Sequence, residues 1–120
     1  MEKIIYDAIG ERVYAKKLAN GLQVYLIPKE QSEKTFGLFM TNYGSVDRSF
    51  TPLGATENIT VPDGIAHFLE HKLFEKEDRD VFNDFLQYGA SPNAYTSATK
   101  TAYLFSATNH IEKNVEILLD

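Results

Sequence analysis

The sequence has no cysteine. That excludes a disulfide framework and any thiolate metal site, so a metal could be held only by histidines and carboxylates. It also lacks a long apolar run: nothing in its 120 residues approaches the length of a membrane span. Glu2 and Asp7 stand where a secretory signal needs apolar residues, so the cytoplasm is the expected location and no membrane partner is expected. Basic clusters are missing as well. Twelve Lys and Arg face 17 Asp and Glu for a net charge of −5, and nothing is more concentrated than short pairs such as Lys16-Lys17, so no nucleic-acid partner is expected. Internal repeats and low-complexity stretches are absent, and a chain of this length can bury one modest core at most.

What is present alternates strand and helix signals. Residues 13–18 and 22–27 flank Asn20-Gly21, a dipeptide that readily adopts the positive φ of a hairpin turn. Leu22, Val24 and Leu26 alternate with Gln23 and Tyr25, as in a strand with one buried face. Residues 35–43 read as a third strand. Gly and Pro interrupt residues 44–62, which read as loop. Asp63 is placed to cap a helix over 64–75, and Asp78 or Asp80 to cap a second that ends at Gly89, with Val81, Phe82, Phe85 and Leu86 on one face. Residues 93–97 and 101–107 read as strands that pair with the opening ones. Asn109 and Glu112 resemble a capping box for a last helix whose apolar stripe is Ile111, Val115 and Leu118. That helix has no stop signal before Asp120, as expected of a chain that ends inside a domain. The expected fold is α+β, with helices packed on one face of a largely antiparallel sheet.

The chemistry is concentrated in His67-Phe68-Leu69-Glu70-His71. On a helix, residues four apart lie one turn apart and roughly 40° apart around the axis, so one metal ion can reach both imidazoles. Glu70 stands beside His71, within reach of a water activated by that metal. Zinc suits imidazole and carboxylate ligands with one position open, although ligand type alone leaves manganese and cobalt open. In this scheme Glu70 takes the proton of the attacking water and hands it to the leaving amine. The order His-x-x-Glu-His reverses the His-Glu-x-x-His arrangement and asks the same chemistry of each residue.

The agreement extends beyond the five residues. Leu18-Ala19-Asn20-Gly21-Leu22, Gly44-Ser45, Gly64-Ile65-Ala66-His67 and Ser91-Pro92-Asn93-Ala94-Tyr95-Thr96-Ser97, followed by Thr101-Ala102-Tyr103, are similar to successive segments of the insulinase/pitrilysin family of zinc metallopeptidases, the inverzincins. Lys72-Leu73-Phe74-Glu75 and the long loop before Gly64 look most like a Gram-positive bacterial branch. The resemblance implies that His67 and His71 bind zinc and that Glu70 is the catalytic base. It implies that a peptide substrate adds to the strand at Asn93, Ala94 and Tyr95, where for Asn93 alone a turn residue is the plain alternative. It also implies a third ligand, a Glu beyond residue 120, and a second homologous domain or partner subunit. Residues 1–120 are then part of one N-terminal zinc-peptidase domain, incomplete at its C-terminal end and inactive by itself. The implied activity is a zinc endopeptidase acting on short or unfolded peptides; the alternative is a catalytically silent scaffold or partner subunit of the same family. His110 reads as a solvent-facing imidazole, Tyr95, Tyr103 and Phe105 as strand packing when taken by themselves, and Phe68 and Leu69 as anchors of the metal helix.

Overall fold

The computed structural model describes residues 1–120, and the chain divides into two compact units, 1–33 and 34–120. In the first unit, strands β1 (Glu2–Tyr6), β2 (Glu11–Lys17) and β3 (Gln23–Leu26) form an antiparallel sheet in that order. A 3-10 turn at Asp7–Ile9, closed by Gly10 at φ 65°, links β1 to β2. The expected hairpin is β2–β3. Its loop places positive φ at Gly21 alone (90°), with Gly21 N donating to Leu18 O at 2.9 Å and Leu18 N to Leu22 O at 2.8 Å. That is a three-residue loop in which the glycine closes the turn, rather than a two-residue turn with both central residues at positive φ. Asn20 instead accepts from Leu22 N through its side chain.

The second unit carries a sheet of order β4–β8–β7, made of β4 (Thr35–Thr41), β7 (Ser91–Thr96) and β8 (Thr101–Ala107), antiparallel throughout. The two later strands therefore pair with each other and with the third strand, and not with the opening hairpin as expected. Alternation along one strand fixes which face is buried but says nothing about its neighbour. The segment 44–62 holds a two-residue pair, β5 (Ser49–Phe50) and β6 (Ile59–Thr60). Helices α1 (Ile65–Phe74), α2 (Val81–Gln87) and α3 (Ile111–Leu119) complete the unit, which is α+β.

One face of β8, presented by Tyr103, Phe105 and Ala107, forms the core with Phe74, Val81, Phe85 and Ala90. Phe85 and Phe105 are 0% exposed and their rings stack 5.9 Å apart. Gly37 pairs with Phe105 across the strands, and a Cβ there would meet the ring at 2.3 Å, so the glycine makes room for the aromatic. On the opposite face Phe36, Leu38 and Met40 of β4 and Tyr95 of β7 are exposed.

Several local expectations are corrected. The cap position of α1 is Gly64 at φ 85°, which has no side chain to offer; Asp63 stands one residue too early and pairs with Arg48 at 3.0 Å. Asp80 does cap α2, accepting from Phe82 N at 2.9 Å. Val81 and Phe85 are buried, but Phe82 and Leu86 are exposed, a narrower stripe than the four-residue face expected. At α3 the capping residue is His110 at φ 52°, without a side-chain cap. Asn109 Oδ1 accepts from His110 N, so no capping box forms. Asn114 is fully buried there and Val115 is exposed; the Asn114 amide donates to the carbonyls of Asn109 and His110.

Candidate metal centre

Helix α1 turns Ala66, Glu70 and Phe74 inward, three residues spaced four apart and so on one stripe of the helix. Phe68 and Leu69 consequently face out, at 56% and 43% exposure, and do not anchor the helix. Phe74 does so, packing against Phe82, Phe85 and Tyr103 with ring centroids 4.9, 6.2 and 5.4 Å away. The inward stripe leaves His67 and His71 on its flank, exposed and one turn apart.

Their Nε2 atoms are 2.9 Å apart and their ring centroids 4.8 Å apart. Both imidazoles thus aim the same nitrogen at one point. Two nitrogens bound to a tetrahedral zinc at roughly 2.0–2.1 Å would be about 3.3 Å apart, so a small outward rotation of either exposed ring gives a fitting pair. Adding a Glu70 oxygen, the candidate ligand atoms of the three residues all lie within 4.8 Å of one another. No other group of three His, Asp or Glu side chains converges in this way. Glu75 is turned to solvent beside Lys72, Glu116 pairs with Lys113, and the His110 ring packs edge-on against Tyr88.

Glu70 differs from the histidines in being 9% exposed. Its Oε2 accepts a hydrogen bond of 2.5 Å from Thr96 Oγ1. A carboxylate this far from solvent requires such a partner. The Tyr103 phenol is shifted up, mainly by its burial and further by the charge of Glu70.

Strand β7 runs alongside α1. It is an edge of its sheet, paired with β8 on one side only. A recess of about 370 Å³ between α1, the start of α2 and β7 is lined by Glu70, His71, Asn93 and Ala94 among others. The structure therefore brings two of the three expected substrate residues to the histidine–glutamate cluster. Tyr95 lies on the outer face of the strand, exposed, and Asn93 turns its Oδ1 to the backbone N of Ala94 at 2.8 Å. Thr96 was not singled out from the sequence. It lies two residues beyond Ala94 on the same side of the strand, a relation that becomes informative only once that side is known to meet Glu70.

Residues 53–120 match the family described as Insulinase (Peptidase family M16), and the chain belongs to that family. It is 56% identical over 120 residues to the uncharacterized zinc protease YmfH of Bacillus subtilis, covering all of this chain and 28% of that protein. The Gram-positive placement agrees with this relative. Among solved structures, an M16-like peptidase from Alicyclobacillus acidocaldarius superposes with a TM-score of 0.83 at 48% identity, over 92% of this chain and 26% of that one. Pitrilysin shares the fold, with a TM-score of 0.64 at 22% identity over 88% of this chain and 11% of that one. The chain thus spans little more than a quarter of YmfH and of the Alicyclobacillus peptidase, and about a ninth of pitrilysin. No helix in it is long and apolar enough to cross a membrane.

Proposed function

We propose that this chain is the metal-binding portion of a zinc endopeptidase that hydrolyses short or unfolded peptides. The observation carrying the proposal is the convergence of the His67 and His71 nitrogens beside a buried Glu70, on a helix that adjoins a free strand edge. His67 and His71 would hold the ion, and a carboxylate from residues outside these 120 would complete its shell. Zinc held there supplies Lewis acidity toward a peptide carbonyl and toward water. Glu70 takes a proton from the attacking water and returns it to the departing amine. The backbone of Asn93, Ala94 and Tyr95 receives the peptide as an added strand, which favours extended, flexible substrates.

The short span relative to YmfH supports the view that these residues are part of one N-terminal zinc-peptidase domain. A second homologous domain or subunit then supplies the remaining substrate contacts, and the 120 residues alone cleave nothing efficiently.

The test uses the full-length protein carrying this chain, with its partner subunit if it has one, on a quenched fluorescent peptide. Glu70→Gln should lower turnover by roughly 10²–10⁴-fold with zinc content unchanged. Equal silence of both proteins toward a broad peptide mixture would instead favour a catalytically silent scaffold of the same family.

A further inference from the structure

We propose that Thr96 is a positioning residue for Glu70, holding its carboxylate so that one oxygen stays on the protein and the other is left for the proton transfer. This rests on the peptidase reading above.

Thr96 Oγ1 donates to Glu70 Oε2 at 2.5 Å across 26 residues of chain, in a partly buried setting. The bond spans two elements, from the end of β7 to the second turn of α1. The threonine directly opposite in the sheet, Thr101, is 2% exposed and commits its hydroxyl to the carbonyl of Tyr43 at 2.6 Å. The two hydroxyls of this pair therefore have separate duties, and Thr96 alone serves the carboxylate. A glutamate at the second turn of a helix has three side-chain torsions to fix. A single charge-assisted bond from a strand is a short and strong way to fix the last of them. A base held this way is spared reorganisation when the reaction starts.

The placement has a second consequence. Thr96 follows Asn93, Ala94 and Tyr95 on the same strand, and that strand is paired on one side only. A peptide added along β7 would pair its free side and steady the backbone that carries the Thr96 hydroxyl. Docking of the substrate and support of the base are then two uses of one strand.

The experiment compares full-length wild type, Thr96→Val, Thr96→Ala and Thr96→Ser. Steady-state kinetics are run on the quenched peptide, zinc affinity is measured by competition with a chromophoric chelator, and each variant is crystallised. Thr96→Val should lower kcat about 10–100-fold while KM and zinc affinity stay within about 3-fold, and Thr96→Ser should recover kcat to within about 5-fold. Should the valine variant fail to fold, Thr96→Ala is read in its place. Wild-type kcat in the variant without a hydroxyl, a serine variant as slow as the valine one, or zinc affinity lost in step with kcat would each overturn the assignment. If wild type itself cleaves nothing, or Glu70→Gln cleaves as well as wild type, the peptidase reading has failed. Thr96 is then judged by the crystals: the Glu70 carboxylate should leave β7 in Thr96→Val and stay in Thr96→Ser, and a carboxylate that stays in both overturns the assignment.

Discussion

A single methyl group is enough to probe how closely the chain passes itself at Gly44. A Cβ there would stand 2.5 Å from the Ala98 carbonyl and the Thr99 nitrogen. These are backbone atoms, unable to swing aside as a side-chain tip could. The approach exists because Ser45 N and Val46 N donate to the carbonyls of Ser97 and Ala98, each at 3.0 Å, which brings the chain leaving β4 against the β7–β8 turn. Gly44→Ala should therefore destabilise the fold by about 1–3 kcal/mol, read as a lowered urea midpoint with an unchanged slope. Residues of this kind divide into those a sequence announces and those it hides. His67, Glu70 and His71 were legible because a helical spacing converts directly into a shared side of the helix. Thr96 was not, because a threonine in a strand is ordinary packing until something on the helix beside it needs its hydroxyl.

At the level of elements the same division holds. Strands β4, β7 and β8 and all three helices were legible from period and punctuation. β1 was not: Ile4 and Ile5 sit among charged neighbours, and the strand exists because it pairs with β2, from Glu2↔Ala15 to Tyr6↔Glu11. Helix starts were the least legible, since Gly64 and His110 enter α1 and α3 through left-handed backbone that no side-chain cap signals. The link between α1 and α2 carries its own prediction. Lys76 and Arg79 lie within it and both donate to Asp120 Oδ2, at 2.6 and 2.5 Å, tying the link to the end of α3. The Lys76 and then the Arg79 contacts hold the Asp120 carboxyl below the usual carboxylate range. A carboxyl whose folded pKa is lowered stabilises the fold at neutral pH, and that contribution is lost as pH falls through the folded value. The groups are exposed, so the effect is small. The urea midpoints of wild type and Asp120→Asn should differ slightly at neutral pH and converge as pH falls below the usual carboxylate range.

For the whole molecule the measurable property is coupling between metal and fold. A ligand that binds the folded chain and not the unfolded one stabilises it in proportion to the logarithm of its excess over Kd, about 2.7 kcal/mol at a hundredfold excess. Excess zinc should raise the Tm of the 120-residue chain and a chelator should reverse the rise. His67→Ala and His71→Ala should each abolish it, while Glu70→Gln should keep it. A zinc response unaltered by loss of either histidine would place the ion elsewhere. One further trait of the sheet bears on how such measurements are made. Phe36, Leu38 and Met40 stand exposed on one side of β4, and β4 is a sheet edge. Unpaired backbone and adhesive side chains on the same strand are the ingredients of stacking between separate molecules. Solutions of these 120 residues should cloud on standing, faster the more concentrated they are, and light scattering followed over time would detect it.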